Sequence, residues 1–198
     1  MIEFEESGLT FRLDDDNCFR VEQHPLANRG YKTSTHNIKA CEFISYINGR
    51  HIFVEAKSSA PRKRNGSVND LTLNGKPMPD NWTAYDNYTT FLRDITKKFV
   101  DSYSILKAIR EGLHGQAAKD GLHLPDKTVS NSQIEFVLIL NIRDNAGNVV
   151  RDSFANLKEA LTNEMRPFLN VWKISSNAVK VCWPGAARHY GFLTELND

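Results

Sequence analysis

Lys39-Ala-Cys-Glu-Phe-Ile-Ser-Tyr-Ile-Asn-Gly-Arg-His-Ile-Phe-Val-Glu-Ala-Lys-Ser58 reads as two strands joined by a tight turn. Apolar side chains fill Phe43-Ile44 and Tyr46-Ile47, then Ile52-Phe53-Val54. Between them stand Asn48 and Gly49, residue types that tolerate the positive φ demanded by a two-residue hairpin loop. The second strand then breaks its own pattern. A run apolar enough to be buried continues into Glu55 and Lys57, which are two residues apart and so project from one face. Pairing across the turn sets Glu42 opposite about residue 55. Directly opposed residues on neighbouring strands have Cβ atoms about 5 Å apart. Carboxylates that close repel at neutral pH unless a cation lies between them. A hard divalent ion such as Mg²⁺ suits the arrangement, because it takes one or two carboxylates together with water and phosphate oxygens. Such an ion polarises a phosphoryl oxygen and lowers the pKa of a bound water. Lys57 would orient or deprotonate that water, or offset charge on the phosphate.

Upstream, residues 1–25 read as β structure. Leu9, Phe11 and Leu13 alternate with polar residues, Asp14-Asp-Asp-Asn17 makes a hairpin turn, and Cys18-Phe-Arg-Val-Glu22 resumes a strand. The acidic turn lacks the sixth-position Gly of a calcium loop, since that position is Phe19. Residues 24–38 read as a loop. Downstream, residues 58–86 are polar and rich in Gly and Pro, a length that favours a functional flap over a plain connection.

A helix follows from near Asp86 or Asn87. Tyr88, Phe91, Leu92, Ile95, Phe99, Leu106 and Ile109 fall at three- and four-residue steps, with Ser102 completing the row and Gly112 and Gly115 ending it. Ile134 to Ile142 is the most hydrophobic run and reads as a doubly covered central strand. Phe154, Leu157, Leu161, Met165 and Phe168 mark a second helix, with Pro167 expected to help terminate it. Val179 to Trp183 is a last strand. The order predicts one α/β (α+β) domain over residues 1–198, with a mixed central sheet and flanking helices.

The 198 residues suffice for a full core, and a net charge of +1 means that any nucleic-acid binding must rest on a local patch. Three widely spaced cysteines without a CxxC pattern fit a reducing compartment, so the expected location is the cytoplasm. No stretch reads as a signal peptide or a membrane span.

Glu42 followed by Val54-Glu55-Ala56-Lys57 resembles the PD-(D/E)xK nuclease superfamily, the fold of many restriction endonucleases and Holliday-junction resolvases. In that family an acid on one strand precedes a (D/E)xK tripeptide at the end of the next, with Asp commoner than Glu at the first position. The motif match covers about twenty residues, while the element order is similar over roughly residues 18–185. The resemblance implies a restriction-endonuclease-like core and metal-dependent cleavage of DNA by in-line displacement, leaving a 5′-phosphate. It implies Mg²⁺ or Mn²⁺ held by Glu42, Glu55 and the Ala56 backbone carbonyl. A further Glu often comes from an upstream element, and Glu22 is the nearby candidate, on an expected strand. Many nucleases of this fold are dimers, so a homodimer is a possible state. Catalytically inactive members also exist, so a nucleic-acid- or protein-binding subunit is the alternative.

Charge around the strand end is consistent with phosphate contact. Arg50, Lys57, Arg62, Lys63 and Arg64 face one acid, Glu55, between positions 50 and 64. Arg62-Lys-Arg64 would meet phosphates in a sequence-neutral way, and Trp82, Tyr85 and Tyr88 offer stacking surfaces or core closure. On the helix, Arg93, Lys97 and Lys98 alternate with Asp94 and Asp101 and read as a solvated face. The resemblance adds a Lys from this helix touching nucleic acid, for which Lys97 is the candidate. HExxH, GxSxG, GxGxxG and P-loop patterns are absent from the sequence. A glycosidase reading of the paired acids would leave Lys57 and the basic loop without a role. An unrelated α+β domain with a protein partner is the remaining possibility.

Overall fold

The computed structural model describes residues 1–27, 38–58, 88–120, 122–125, 133–141 and 147–196. In chain order these form β1 (Ile2–Glu6), β2 (Leu9–Leu13), β3 (Cys18–Phe19), β4 (Phe43–Ile47) and β5 (Arg50–Lys57). They continue with α1 (Tyr88–Arg110), α2 (Gln116–Asp120), β6 (Ile134–Leu140), α3 (Gly147–Trp172), β7 (Val179–Cys182), α4 (Pro184–Ala187) and β8 (Leu193–Leu196). The flap expected over 58–86, the loop Arg62-Lys63-Arg64, and Trp82 and Tyr85 lie outside the described residues, apart from Ser58.

Asn48 and Gly49 adopt φ of 50° and 80°, the paired positive values of a type I′ turn, and lock Ile47 opposite Arg50 and Phe43 opposite Val54. β5 then starts a parallel run with β6 and β7. The central sheet is therefore mixed, in the order β3-β4-β5-β6-β7, with β3, β4 and β5 antiparallel. Strand alternation sorts its side chains into two cores. Phe53, Phe136, Leu138 and Leu140 pack under α1 and α3, whereas Ile52, Val54, Val137 and Ile139 pack on the opposite face. All seven residues of β6 are buried, as its continuous apolar run requires.

The second face is covered by a separate antiparallel sheet, β1-β2-β8. Phe4 and Phe11 from this sheet meet Phe43, with ring centroids 5.7 and 5.1 Å away, and Phe192 joins them at 5.6 Å from Phe43. Such edge-to-face pairs add about 0.5–1.5 kcal/mol each beyond the area they bury. The expected hairpin across residues 14–17 is therefore not formed. Asp14 accepts from the Asp16 amide at 3.2 Å and from Asn17 Nδ2 at 2.8 Å, which winds 15–17 into a 3₁₀ turn. The chain passes there from one sheet to the other. β3 is only two residues long and pairs with β4, and Glu22 lies on a second 3₁₀ turn, Val21–Gln23, rather than on a strand.

α1 buries the expected row Phe91, Ile95, Phe99, Ser102, Leu106 and Ile109. Gly112, at φ 76°, ends it, with the Gly112 and Leu113 amides each 3.0 Å from the Ile109 and Ala108 carbonyls. α3 does not stop at Pro167 but runs to Trp172. Met165 and Leu169, on either side of the proline, are buried in the core, and this packing holds the helix through the missing N–H. The true stop is Lys173 in the left-handed region (φ 52°), with the Ile174 amide bonded to the Leu169 carbonyl at 2.9 Å. No described helix is long and apolar enough to cross a membrane.

Candidate metal centre

The carboxyl end of β5 meets three other pieces of chain. The first is the segment leading into β4. Its path is set by α1: the Lys39 amide donates to Asp101 Oδ2 and the Cys41 amide to Ser102 Oγ, both at 2.8 Å. Glu42 then donates its amide to the Val54 carbonyl at 3.0 Å, one step beyond the last strand pair. The hairpin register thus carries Glu42 to the side of Glu55, as expected from the turn.

Both carboxylates point to the α1 face, because one ammonium reaches both. Lys98 Nζ is 2.6 Å from Glu55 Oε1 and 3.4 Å from Glu42 Oε1. Lys57 Nζ also lies on Glu55 Oε1, at 2.5 Å. Lys98 therefore does not decorate a solvated face. It stands seven residues after Phe91 and three after Ile95, at the edge of the buried stripe, a spacing that a solvated lysine shares. Lys97, by contrast, points to Asp101 at 2.6 Å and braces the segment before β4. It is not brought to the acids.

The second and third pieces bring two more carboxylates. Oxygens of Glu6, Glu22 and Glu42 all lie within 4.8 Å of one another. Glu22 is held by Arg20 at 2.8 Å, and the Arg20 guanidinium rests 3.8 Å from the Phe4 ring centroid. Glu6 comes from the end of β1. It carries no sequence signal, because only the docking of the small sheet places it here. The Ala56 carbonyl faces this group too, accepting from Ser7 Oγ at 3.0 Å, and the same hydroxyl is 3.3 Å from Glu6 Oε1.

Burial decides the electrostatics. Glu42 is 3% exposed and Glu55 is fully buried. Burial, followed by the negative charge of Glu55 and with Glu22 adding to it, pushes the Glu42 carboxyl up to about 8, against the opposing pull of Lys98. For Lys98, burial alone would favour the neutral amine, but Glu55 and Glu42 reverse this and hold the ammonium above its ordinary value. Among the carboxylate oxygens of this group, Glu55 Oε2 is buried without a hydrogen-bond partner among the described residues. The clustered oxygens of Glu6, Glu22 and Glu42, with this orphaned oxygen on the neighbour of Glu42, are hard donors of the kind that suits Mg²⁺ or Mn²⁺.

Beside the acids opens a cleft of about 310 Å³, lined in part by Glu22, Lys39, Lys57, Asp94 and Lys98. Lys39 is tied to Asp94 at 2.6 Å. Three ammonium groups and the carboxylates of Glu22 and Asp94 thus line the cleft, and Lys57 and Lys98 join it to the buried Glu55 and Glu42. Comparison of the chain with protein-family models, with curated proteins and with solved structures finds no match.

Proposed function

We propose that this chain is a metal-dependent nuclease with a restriction-endonuclease-like core, hydrolysing phosphodiester bonds in DNA with Mg²⁺ or Mn²⁺. The observation that carries this reading is the convergence of Glu42 and Glu55 on one face with Lys57, whose Nζ lies 2.5 Å from Glu55 Oε1. The element order supports it: three antiparallel strands, a helix, a parallel strand and a further helix. So does the position of the site, at the carboxyl ends of parallel strands, where open α/β sheets bind ligands.

Glu42, Glu55 and the Ala56 carbonyl hold the ion in this reading, with Glu22 as a further ligand. When bound, the ion polarises the phosphoryl oxygen and acidifies the attacking water. Lys57, part-exposed to the cleft, orients that water. Lys98 and Lys39 offset charge on the phosphate.

One observation favours a second reading, a catalytically silent member of the same fold that binds nucleic acid or protein. The Lys98 ammonium already bridges Glu42 and Glu55, as an internal counter-ion would. Supercoiled plasmid and single-stranded DNA, incubated with Mn²⁺ or EDTA beside a Lys57→Ala variant, separate the readings. Metal-dependent cutting lost in Lys57→Ala supports the nuclease, and cutting undiminished in that variant overturns the site. Salt-dependent DNA binding without cutting supports the silent subunit. Neither cutting nor binding points to a protein partner.

A further inference from the structure

We infer that Glu6 is a metal ligand of this centre, delivered by a clamped turn of the small sheet; the inference rests on the metal-dependent reading above. Ile2, Phe4 and Glu6 alternate along β1, and Ile2 and Phe4 pack against the core between the sheets. The inward row of an apolar strand thus ends in a carboxylate. It does not end in solvent: Glu6 is half-buried, with an oxygen within 4.8 Å of oxygens of both Glu22 and Glu42.

The turn after Glu6 is built to hold that position. Ser7 and Gly8 take φ of 53° and 73°. Ser7 Oγ donates to the Ala56 carbonyl at 3.0 Å. Asn141, just past β6, donates from Nδ2 to the Ser7 carbonyl at 2.9 Å and to the Gly8 carbonyl at 3.3 Å. Its own amide bonds the Lys57 carbonyl at 2.8 Å. One asparagine therefore ties the turn to the strand end that carries Glu55 and Lys57. A Cβ on residue 8 would stand 2.9 Å from Asn141 Nδ2, so glycine is what lets the backbone approach this closely.

Packing alone does not require a carboxylate at position 6. Three carboxylates gather here (Glu6, Glu22 and Glu42), with Arg20 on Glu22, and with Lys98 shared between Glu42 and Glu55. Independently, Glu55 Oε2 is shielded from solvent and has no hydrogen-bond partner among the described residues, beside the Glu42 carboxylate that shares Lys98 with it. Each of Glu6, Glu22 and Glu42 offers a carboxylate oxygen within 4.8 Å of the other two. The ligand set is thus wider than the motif pair, and Asn141 is a positioning residue for it.

Mn²⁺ binding by the full chain, followed by calorimetry and by the electron paramagnetic resonance of free Mn²⁺, tests this without reference to cutting. Glu6→Gln is expected to weaken binding by about tenfold or more and to reduce the rise in Tm that Mn²⁺ produces. In EDTA its Tm should stay level or rise, because a like charge leaves the cluster. Asn141→Ala, which keeps every carboxylate, should weaken binding by a smaller factor. Wild-type affinity in Glu6→Gln overturns the assignment of Glu6 and leaves the metal-dependent reading standing. A wild-type protein that takes up no Mn²⁺ overturns both. Should Glu6→Gln not fold, Glu6→Asp keeps the charge and retracts it by one methylene. Loss of affinity in that variant supports the assignment, and unchanged affinity overturns it.

Discussion

Lys98 Nζ lies 2.6 Å from Glu55 Oε1, so the first long helix is joined by an ion pair to a carboxylate at the end of the strand beneath it. Glu55 is wholly buried, and the Lys98 side chain is 21% exposed. Removing one partner of such a pair leaves a buried charge short of compensation. Lys98→Met is therefore expected to lower stability in EDTA by as much as about 3–5 kcal/mol, with Lys57 limiting the loss. Mn²⁺ should restore part of it, as the ion takes over the compensation. Urea denaturation with and without Mn²⁺ reads both, and a variant as stable as wild type in EDTA would show that the pair contributes nothing.

Lys57 shares that oxygen but faces the cleft. If it orients the attacking water, Lys57→Ala should slow plasmid cutting in Mn²⁺ by about 10²–10⁴-fold. Mn²⁺ affinity should be unchanged or slightly tighter, since a competing cation has gone. Single-turnover rates beside calorimetric binding separate the two. Parallel losses of rate and metal affinity would instead make Lys57 a structural partner of Glu55.

Metal-free stability should depend on pH through Glu42. Its carboxyl is raised from 4.5 to about 8 by burial and by Glu55. Between those values the folded protein holds a proton that the unfolded chain has released, so raising the pH through this window removes stability. Thermal melts in EDTA should show Tm falling from pH 4.5 to about 8, and Glu42→Gln should flatten the slope. The Tm rise produced by Mn²⁺ should grow over the same range, because the ion displaces the proton.

The clamp on the Ser7–Gly8 turn predicts an asymmetry between two glycines of similar φ. At Gly8, with φ +73°, an added Cβ would meet Asn141 Nδ2 at 2.9 Å, whereas at Gly115, with φ +76°, it would enter open space. Gly115→Ala should cost only the left-handed penalty, about 1–2 kcal/mol. Gly8→Ala should cost more, about 2–3 kcal/mol, since Asn141 must also retreat. Equal urea midpoints for the two variants would mean that the clamp yields without cost.

Much of the fold was legible because its signals are local. Asn48-Gly49 sets the hairpin register, and with a side-chain period of two that register decides which face Glu42 and Glu55 share. The apolar steps of α1 and α3 and the unbroken apolar run of β6 identify their elements for the same reason. Glu42, Glu55 and Lys57 were legible in this way, as was the mixed character of the sheet.

What lay beyond the sequence depends on how layers dock. The short strand β3 and the 3₁₀ turn at Asp14 to Asn17 look like one half of a hairpin until β2 is seen to pair with β8, from the other end of the chain. That docking alone brings Glu6 to Glu42 and turns Glu22 toward them. Pro167 reads as a stop, yet core packing at Met165 and Leu169 carries the helix past it. Lys98 has the spacing of the buried stripe, but a lysine there is indistinguishable from a solvated one until a carboxylate stands beneath it. By itself, then, the sequence determined the strand register and the Glu42/Glu55/Lys57 constellation, because hydrogen-bond register and side-chain period are properties of neighbouring residues. Only the tertiary structure decided which further charges surround that constellation. Charge balance in a buried site is set by elements that meet in space, and no local pattern records where they meet.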